Sequence, residues 1–179
     1  FSEHVKRNHN FNFENLQISI NPGYIGELAQ KGCHEETSLN ALLGHEAGHY
    51  VYYPGSVLNL LRLHKVARES LDEEQAFAAR EAFLNIQNNT HLVQDKSYES
   101  VPETLKAEAV DIKGLHRIMF GLYQESWQRD LGVRLKKDEK ALVKRLHGID
   151  YLDRDSQEQN LREFVGLIKE YLEQQKPEQ

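Results

Sequence analysis

Cysteine is nearly absent from this chain of 179 residues, because Cys33 is its one cysteine. A lone cysteine excludes an internal disulfide framework, and nothing in the sequence indicates an oxidising compartment. We therefore expect a cytoplasmic protein. Because the first residue is Phe1 rather than Met, we also expect a processed or trimmed chain, from which any targeting segment is missing.

Long apolar runs are also lacking, since none approaches the roughly 20 residues that a helix needs to span a bilayer. Positive charge is not in excess: 22 Lys and Arg stand against 28 Asp and Glu, for a net charge of -6. This balance argues against a nucleic-acid binder, which would normally present a basic face. The hydrophobic content of 39%, with seven Phe, eight Tyr and one Trp, argues against intrinsic disorder.

A chain of this length fits one domain that buries a core of its own. Seven of the nine histidines lie in the first 100 residues, so any chemistry is expected there. We predict a metal-binding core over residues 1–100 and a helical extension over 101–179 that packs on the same domain. The sequence leaves the oligomeric state open.

The apolar pattern predicts one strand followed by helices. Apolar and polar residues alternate over 15–20, as is typical of a half-buried strand. Apolar residues at helical spacing predict helices over 24–31, from an N-cap at Thr37 or Ser38 to residue 51, and from 56 or 57 to 70. The same spacing predicts helices over 72–94, 104–129, 138–147 and 157–174. In the helix over 72–94, we expect the solvent-facing sector to contain Arg80, Gln87 and Gln94. The fold class is therefore α+β and mainly helical, with a small N-terminal sheet and extra C-terminal helices.

The motif that carries chemistry is His45-Glu46-Ala47-Gly48-His49, within the helix that ends at residue 51. Two histidines one turn apart project from one helix face and can bind one metal ion through both imidazoles. Glu46 lies about 100° round the helix from His45, where its carboxylate can take a proton from a metal-bound water. We predict a Zn²⁺ site with His45 and His49 as ligands and Glu46 as general base.

A catalytic zinc usually takes three protein ligands and leaves a fourth position for water. The helix over 72–94 is the natural source of the third. At about 100° per residue it has one polar stripe between apolar residues, formed by Glu74, Glu81, Asn85 and Asn88. Buried polar groups need partners, and a metal with its histidines would supply them.

HEAGH followed by a glutamate-bearing helix resembles the gluzincin branch of the zincin-like metallopeptidases. In the thermolysin-like members, a ligand Glu is followed four residues later by an Asp that orients the first histidine. The segment 80–85 matches that spacing, with Glu81 as the ligand and Asn85 in the orienting place. The resemblance covers roughly residues 15–95, including a strand before the motif helix whose edge would bind an extended peptide.

Two departures from the family pattern affect this assignment. Asn85 stands where the family has a carboxylate, so a histidine would be polarised less strongly. The interval from His49 to Glu81 is also longer than in the thermolysin-like members. The alternatives for the third ligand therefore stay open: Glu74, His91, Asp95 and Glu108.

The resemblance implies a metallopeptidase, which hydrolyses peptide bonds in a peptide or protein substrate with metal-activated water. One rival is a catalytically inert zinc-binding module with a regulatory or scaffold role. The other is a metal-free helical interaction domain in which HEAGH is a coincidence. Cys33 is interpreted as a buried thiol, with capping of a resting zinc as the alternative.

Overall fold

The computed structural model describes residues 8–12, 14–110 and 112–174. The described part begins with an antiparallel pair, β1 (His9–Asn12) and β2 (Gln17–Ile20), in which His9 lies opposite Ile20. Eight helices follow within the described residues: α1 (Pro22–Gln30), α2 (Glu35–Val51), α3 (Val57–Arg68), α4 (Glu73–Gln94), α5 (Ser100–Glu108), α6 (Gly114–Trp127), α7 (Lys137–Leu146) and α8 (Gln157–Gln174). The prediction of a mainly helical α+β protein with a small N-terminal sheet is confirmed.

Strand β1 has no counterpart among the predicted elements. A two-stranded hairpin is marginal in water unless another element covers it, and here α2 does so. The ring of Phe11 in β1 stacks on Tyr50 of α2, with the ring centroids 5.0 Å apart. This contact depends on a residue far along the chain, so the local pattern of β1 does not reveal it.

Helix α2 begins at Glu35, earlier than the predicted start at residue 37 or 38. Ser38 was one of the two expected N-caps, but it is fully buried and donates its hydroxyl to Cys33 Sγ at 3.1 Å. The N-cap is instead His34, which has extended backbone and makes no capping hydrogen bond through its side chain. Glu35 and Glu36 place negative charge in the first turn, which favours a helix start there.

The single helix predicted over 104–129 is wrong, because the chain forms α5 and α6 there. Gly114 has a φ of +56°, in the left-handed region, so a right-handed helix does not continue through it. Gly121 is tolerated inside α6 because the Leu135 side chain packs where a Cβ would lie, at 2.6 Å.

One hydrophobic core contains residues from both halves of the chain, including Ala41 and Phe83 from the first half and Phe164 from the second. Phe83 of α4 contacts the rings of Tyr151 and Phe164. Among the described residues, no helix has both the length and the apolar character that a membrane crossing requires.

The sector of α4 that was expected to face solvent is largely covered, so that prediction is wrong for Arg80 and Gln87. Gln87 is fully buried; it donates to the Tyr151 carbonyl at 2.8 Å and accepts from Gln157 Nε2 at 2.7 Å. Arg80 is also buried and lies over the Phe77 ring. Gln94 alone of the three is exposed. The loop before α8, and α8 itself, cover a face that periodicity alone cannot distinguish from a solvated one.

Candidate metal centre

The HEAGH motif lies in the second half of α2 and faces α4 at close range. Gly48 permits this approach, because a Cβ there would lie 2.1 Å from Asn88 Oδ1. Asn88 is fully buried and donates its Nδ2 to the backbone carbonyl of His45 at 2.7 Å. A side-chain bond to a helix carbonyl thus fixes the middle of α4 against the motif.

The structure brings His45 and His49 together, with their Nε2 atoms 3.0 Å apart. The rings meet edge to face, at 90° between their planes. The other nitrogen of each ring faces an oxygen: His49 Nδ1 lies 2.6 Å from the Tyr53 carbonyl and His45 Nδ1 lies 2.7 Å from Asn89 Oδ1. Because these oxygens accept hydrogen bonds, each proton belongs on Nδ1, and the two Nε2 lone pairs point at the same space.

Burial favours the neutral form of His45. Removal of the His45 ring from water, together with the neighbouring His49 and His9, lowers the pKa of His45 from 6.5 to about 3. A neutral imidazole is the form that binds a metal ion, so the ring is ready for a ligand role at neutral pH.

Asn89 is the residue whose side chain orients His45, the first histidine of the motif. Its Nδ2 donates to the Tyr123 hydroxyl at 3.2 Å, which leaves Oδ1 to accept from His45. Asn85, which the resemblance put in that orienting place, instead has its Oδ1 2.9 Å from His49 Nε2. The sequence held a signal for this arrangement, because Asn85 and Asn89 repeat the four-residue spacing one helical turn later than Glu81 and Asn85.

Glu46 lies beside the pair, and the residue that contacts it was not anticipated. Glu46 is 5% exposed, and its Oε1 is 2.5 Å from Nδ1 of His9 in β1. Burial acts to raise the pKa of Glu46, but the contact with His9 and the nearby rings of His45 and His49 outweigh it, so the pKa lies below its ordinary value. Ligand atoms of His9, His45 and Glu46 lie within 4.8 Å of one another.

No spacing rule links His9 to the motif. His9 is 37 residues from Glu46, and the hairpin that brings them together was only half predicted. The N-terminal hairpin therefore supplies a third imidazole to the centre, through tertiary packing alone.

Glu81, the third ligand that the resemblance implies, lies on the wall of the cavity that also contains the two motif histidines and Asn85. Its Oε1 accepts from Arg80 Nη2 at 2.8 Å, and its side chain is 32% exposed. A ligand role for Glu81 stays a prediction.

The alternative third ligands lie in different surroundings. Glu74 is exposed near the start of α4. His91 and Asp95 pair with each other near the end of α4, through Nδ1 and Oδ2 at 2.6 Å. Glu108 accepts a hydrogen bond from Tyr24, and burial raises the pKa of its carboxyl. Of the four, Glu108 lines a cavity with His45 and Asn85.

Cys33 is buried in a small cluster with Leu28 and Ala107. Its Sγ accepts from the Ser38 hydroxyl and lies 3.7 Å from Thr104 Oγ1. The buried thiol that the sequence favoured is what the structure shows.

The motif histidines open onto a cavity that both polar and apolar residues line. Apolar residues include Leu60, Phe77, Leu115 and Met119. The strand that lines this cavity is β1, through its residues His9 to Phe11 and the preceding Asn8. The strand that lines the cavity beside the motif is therefore β1, whereas the strand predicted over 15–20 corresponds to β2.

The centre combines the imidazoles of His45 and His49, the amide oxygen of Asn85 and the buried carboxylate of Glu46, which His9 contacts, and all of these residues line one cavity. Imidazole nitrogens and oxygens are the donors that zinc and other divalent first-row metals accept in proteins. Comparisons of this chain with protein-family models, with curated proteins and with solved structures find no match.

Proposed function

We propose that the chain is a zinc-dependent peptidase with a zincin-like core, in which His45 and His49 bind the metal and Glu46 is the general base. One observation carries the proposal: the two Nε2 atoms approach to 3.0 Å while an oxygen faces Nδ1 of each ring. With the proton of each ring on Nδ1, the two Nε2 lone pairs face each other, and a cation between them would remove their repulsion. Imidazole ligands whose other nitrogen donates to an oxygen are typical of zinc sites.

A zinc ion at this position would supply Lewis acidity, which lowers the pKa of a bound water towards neutrality. The chain itself would supply the general base, Glu46, and fix its position. Glu46 is ionised at neutral pH, since its pKa lies below the ordinary value, and His9 fixes one of its oxygens. The carboxylate can therefore accept a proton next to the histidines and return it to the departing amine.

The substrate is proposed to be an extended peptide lying beside β1. A strand edge offers unpaired backbone N–H and C=O groups, which an extended chain can pair with. Residues of β1 line the same cavity as the motif histidines, so a peptide on that edge would pass the metal ligands. The apolar wall formed by Leu60, Phe77 and Met119 suits an apolar side chain of that peptide.

The experiment compares the wild type with Glu46→Gln, both purified without a polyhistidine tag. Zinc content and hydrolysis of an unfolded protein such as casein are measured on the same samples. We expect about one zinc per chain in both proteins and hydrolysis only in the wild type, because glutamine is neutral and cannot serve as the base. Glu74→Gln is the matched control: the same change at an exposed position of α4 should keep both properties.

Two outcomes would contradict the peptidase. A wild type that holds zinc but hydrolyses none of a panel of unfolded proteins would favour the inert zinc-binding module. A wild type that holds no zinc, and whose thermal midpoint does not rise when zinc is added, would favour the metal-free interaction domain.

A further inference from the structure

We infer that Asn85 supplies the third metal ligand through Oδ1, so that the centre consists of His45, His49 and Asn85 and has no ligand carboxylate. This inference rests on the proposed function, because it takes the HEAGH motif to bind a metal. It differs from the family pattern, in which the third ligand is a glutamate, here Glu81.

The distances support a three-atom site. His49 Nε2 lies 3.0 Å from His45 Nε2 and 2.9 Å from Asn85 Oδ1. Ligand atoms about 2.0–2.1 Å from a tetrahedral zinc are separated from one another by about 3.3 Å. Both separations from His49 Nε2 are therefore within a few tenths of an ångström of those in a ligand set, and a small outward shift would admit the ion.

The donors and acceptors around His49 Nε2 also support Asn85 as a ligand. In the neutral His49 ring with its proton on Nδ1, which faces the Tyr53 carbonyl at 2.6 Å, Nε2 has only a lone pair to offer. The two atoms opposite it are Asn85 Oδ1 and His45 Nε2, and with the His45 proton also on Nδ1 both are acceptors. A cation between these three acceptors would stabilise them.

The position of Glu81 leaves the third place to Asn85. The Glu81 carboxylate forms an ion pair with Arg80, whose side chain is 9% exposed. Movement of that carboxylate to a metal would take a partner from a buried guanidinium, which is costly. Asn85 and Asn89 meanwhile preserve the ligand and orienting pair at four-residue spacing, with Asn89 on the first histidine.

A centre with three neutral ligands has a chemical consequence. No ligand carboxylate offsets the charge of the metal, so zinc is held less tightly than in a site with two histidines and a glutamate. An amide oxygen is also a harder donor than an imidazole, and harder metals such as Mn²⁺ favour oxygen ligands.

The test measures zinc affinity by competition with a chromogenic chelator, using untagged full-length chains. Asn85→Leu, which keeps the side-chain shape but lacks the oxygen, should weaken zinc binding about tenfold or more. Asn85→Asp should tighten it about tenfold or more, because the ligand gains a negative charge. Glu74→Gln, at an exposed position of α4, is the control and should stay within about twofold of the wild type. Glu81→Gln and His9→Ala test the rival ligands, and each should weaken zinc binding less than Asn85→Leu does. Helix content and unfolding midpoint show that each variant is folded.

Asn85→Asp also separates a ligand from a hydrogen-bond donor. If the amide merely donated an N–H to His49, a carboxylate would abolish that bond and Asp would weaken binding. Weaker binding by Asn85→Asp, an unchanged affinity in Asn85→Leu, or a larger loss in Glu81→Gln or His9→Ala would each overturn the inference while leaving the metal site intact. A wild type that binds no zinc would instead overturn the proposed function, and the inference with it.

Discussion

Asn88 donates its side-chain N–H to the backbone carbonyl of His45 at 2.7 Å, and this bond joins the middle of α4 to the first residue of the HEAGH motif. Gly48, about one turn further along α2, lies so close to the same amide that a Cβ there would meet Asn88 Oδ1 at 2.1 Å. The positions of Asn85 and Asn89 relative to the histidines thus depend on Gly48, although Gly48 has no side chain that could bind a metal.

Gly48→Ala should destabilise the protein and weaken zinc binding together. The new Cβ would lie 2.1 Å from Asn88 Oδ1 and 2.9 Å from its Cγ, so α4 must move or Asn88 must lose its bond to His45. We expect a loss of about 1–3 kcal/mol in the free energy of unfolding, measured with urea.

Gly166→Ala is the matched control, since no atom lies within 4 Å of a Cβ at that position of α8. It should be neutral, or stabilising by up to about 1 kcal/mol, because alanine is the better helix former. Equal stability of the two alanine variants would contradict the close approach of α4 to the motif.

The free energy of unfolding of the metal-free protein should decrease as the pH is lowered from about 6.5 towards 3. Burial, His49 and His9 lower the pKa of His45 from 6.5 to about 3 in the folded state. The unfolded chain takes up a proton near pH 6.5 and the folded protein does so only near pH 3, so protons favour unfolding in between. Stability from this group is complete above pH 6.5 and decreases as the pH falls, by on the order of 1 kcal/mol per pH unit.

Urea unfolding of chelator-treated protein at pH 7.5, 6.5 and 5.5 measures this slope. His45→Gln removes the titrating ring and should give a shallower dependence over the same range. The same slope in the variant and the wild type would show that His45 protonates in the folded protein at its ordinary pKa.

Asn89 should control zinc affinity without contacting the metal. Asn89→Leu removes the acceptor from His45 Nδ1, so the ring loses its fixed orientation, and zinc affinity should fall about 10- to 100-fold. Asn89→Asp retains an acceptor and should bind zinc at least as tightly as the wild type. Competition with a chromogenic chelator measures the zinc affinity of both variants. Equal affinities in Asn89→Leu and Asn89→Asp would contradict an orienting role for Asn89.

Local periodicity was enough to locate most helices and the motif, because apolar spacing along one helix is a local property. It placed α4 within one residue at its start, and it put Asn85 on the stripe that meets the histidines. It failed where burial comes from distant segments. Gln87 is polar but covered by Tyr151 and Gln157, and no local pattern encodes that contact.

The candidate site could also be predicted only in part, because some of its residues come from distant segments of the chain. His45, Glu46 and His49 form one sequence motif, and the structure brings them together. His9 and Asn89 were missed for different physical reasons. His9 reaches Glu46 through a hairpin that needs α2 for its stability. Asn89 was missed because the family spacing, counted from Glu81, assigned the orienting place to Asn85.

The most direct test of the whole account is a zinc titration of the untagged wild type beside the double variant His45→Gln, His49→Gln. The account predicts saturable binding of one zinc per chain by the wild type, and no binding by the double variant at the same concentrations. A wild type that remains free of zinc at saturating metal, or a double variant that still binds one equivalent, would contradict it.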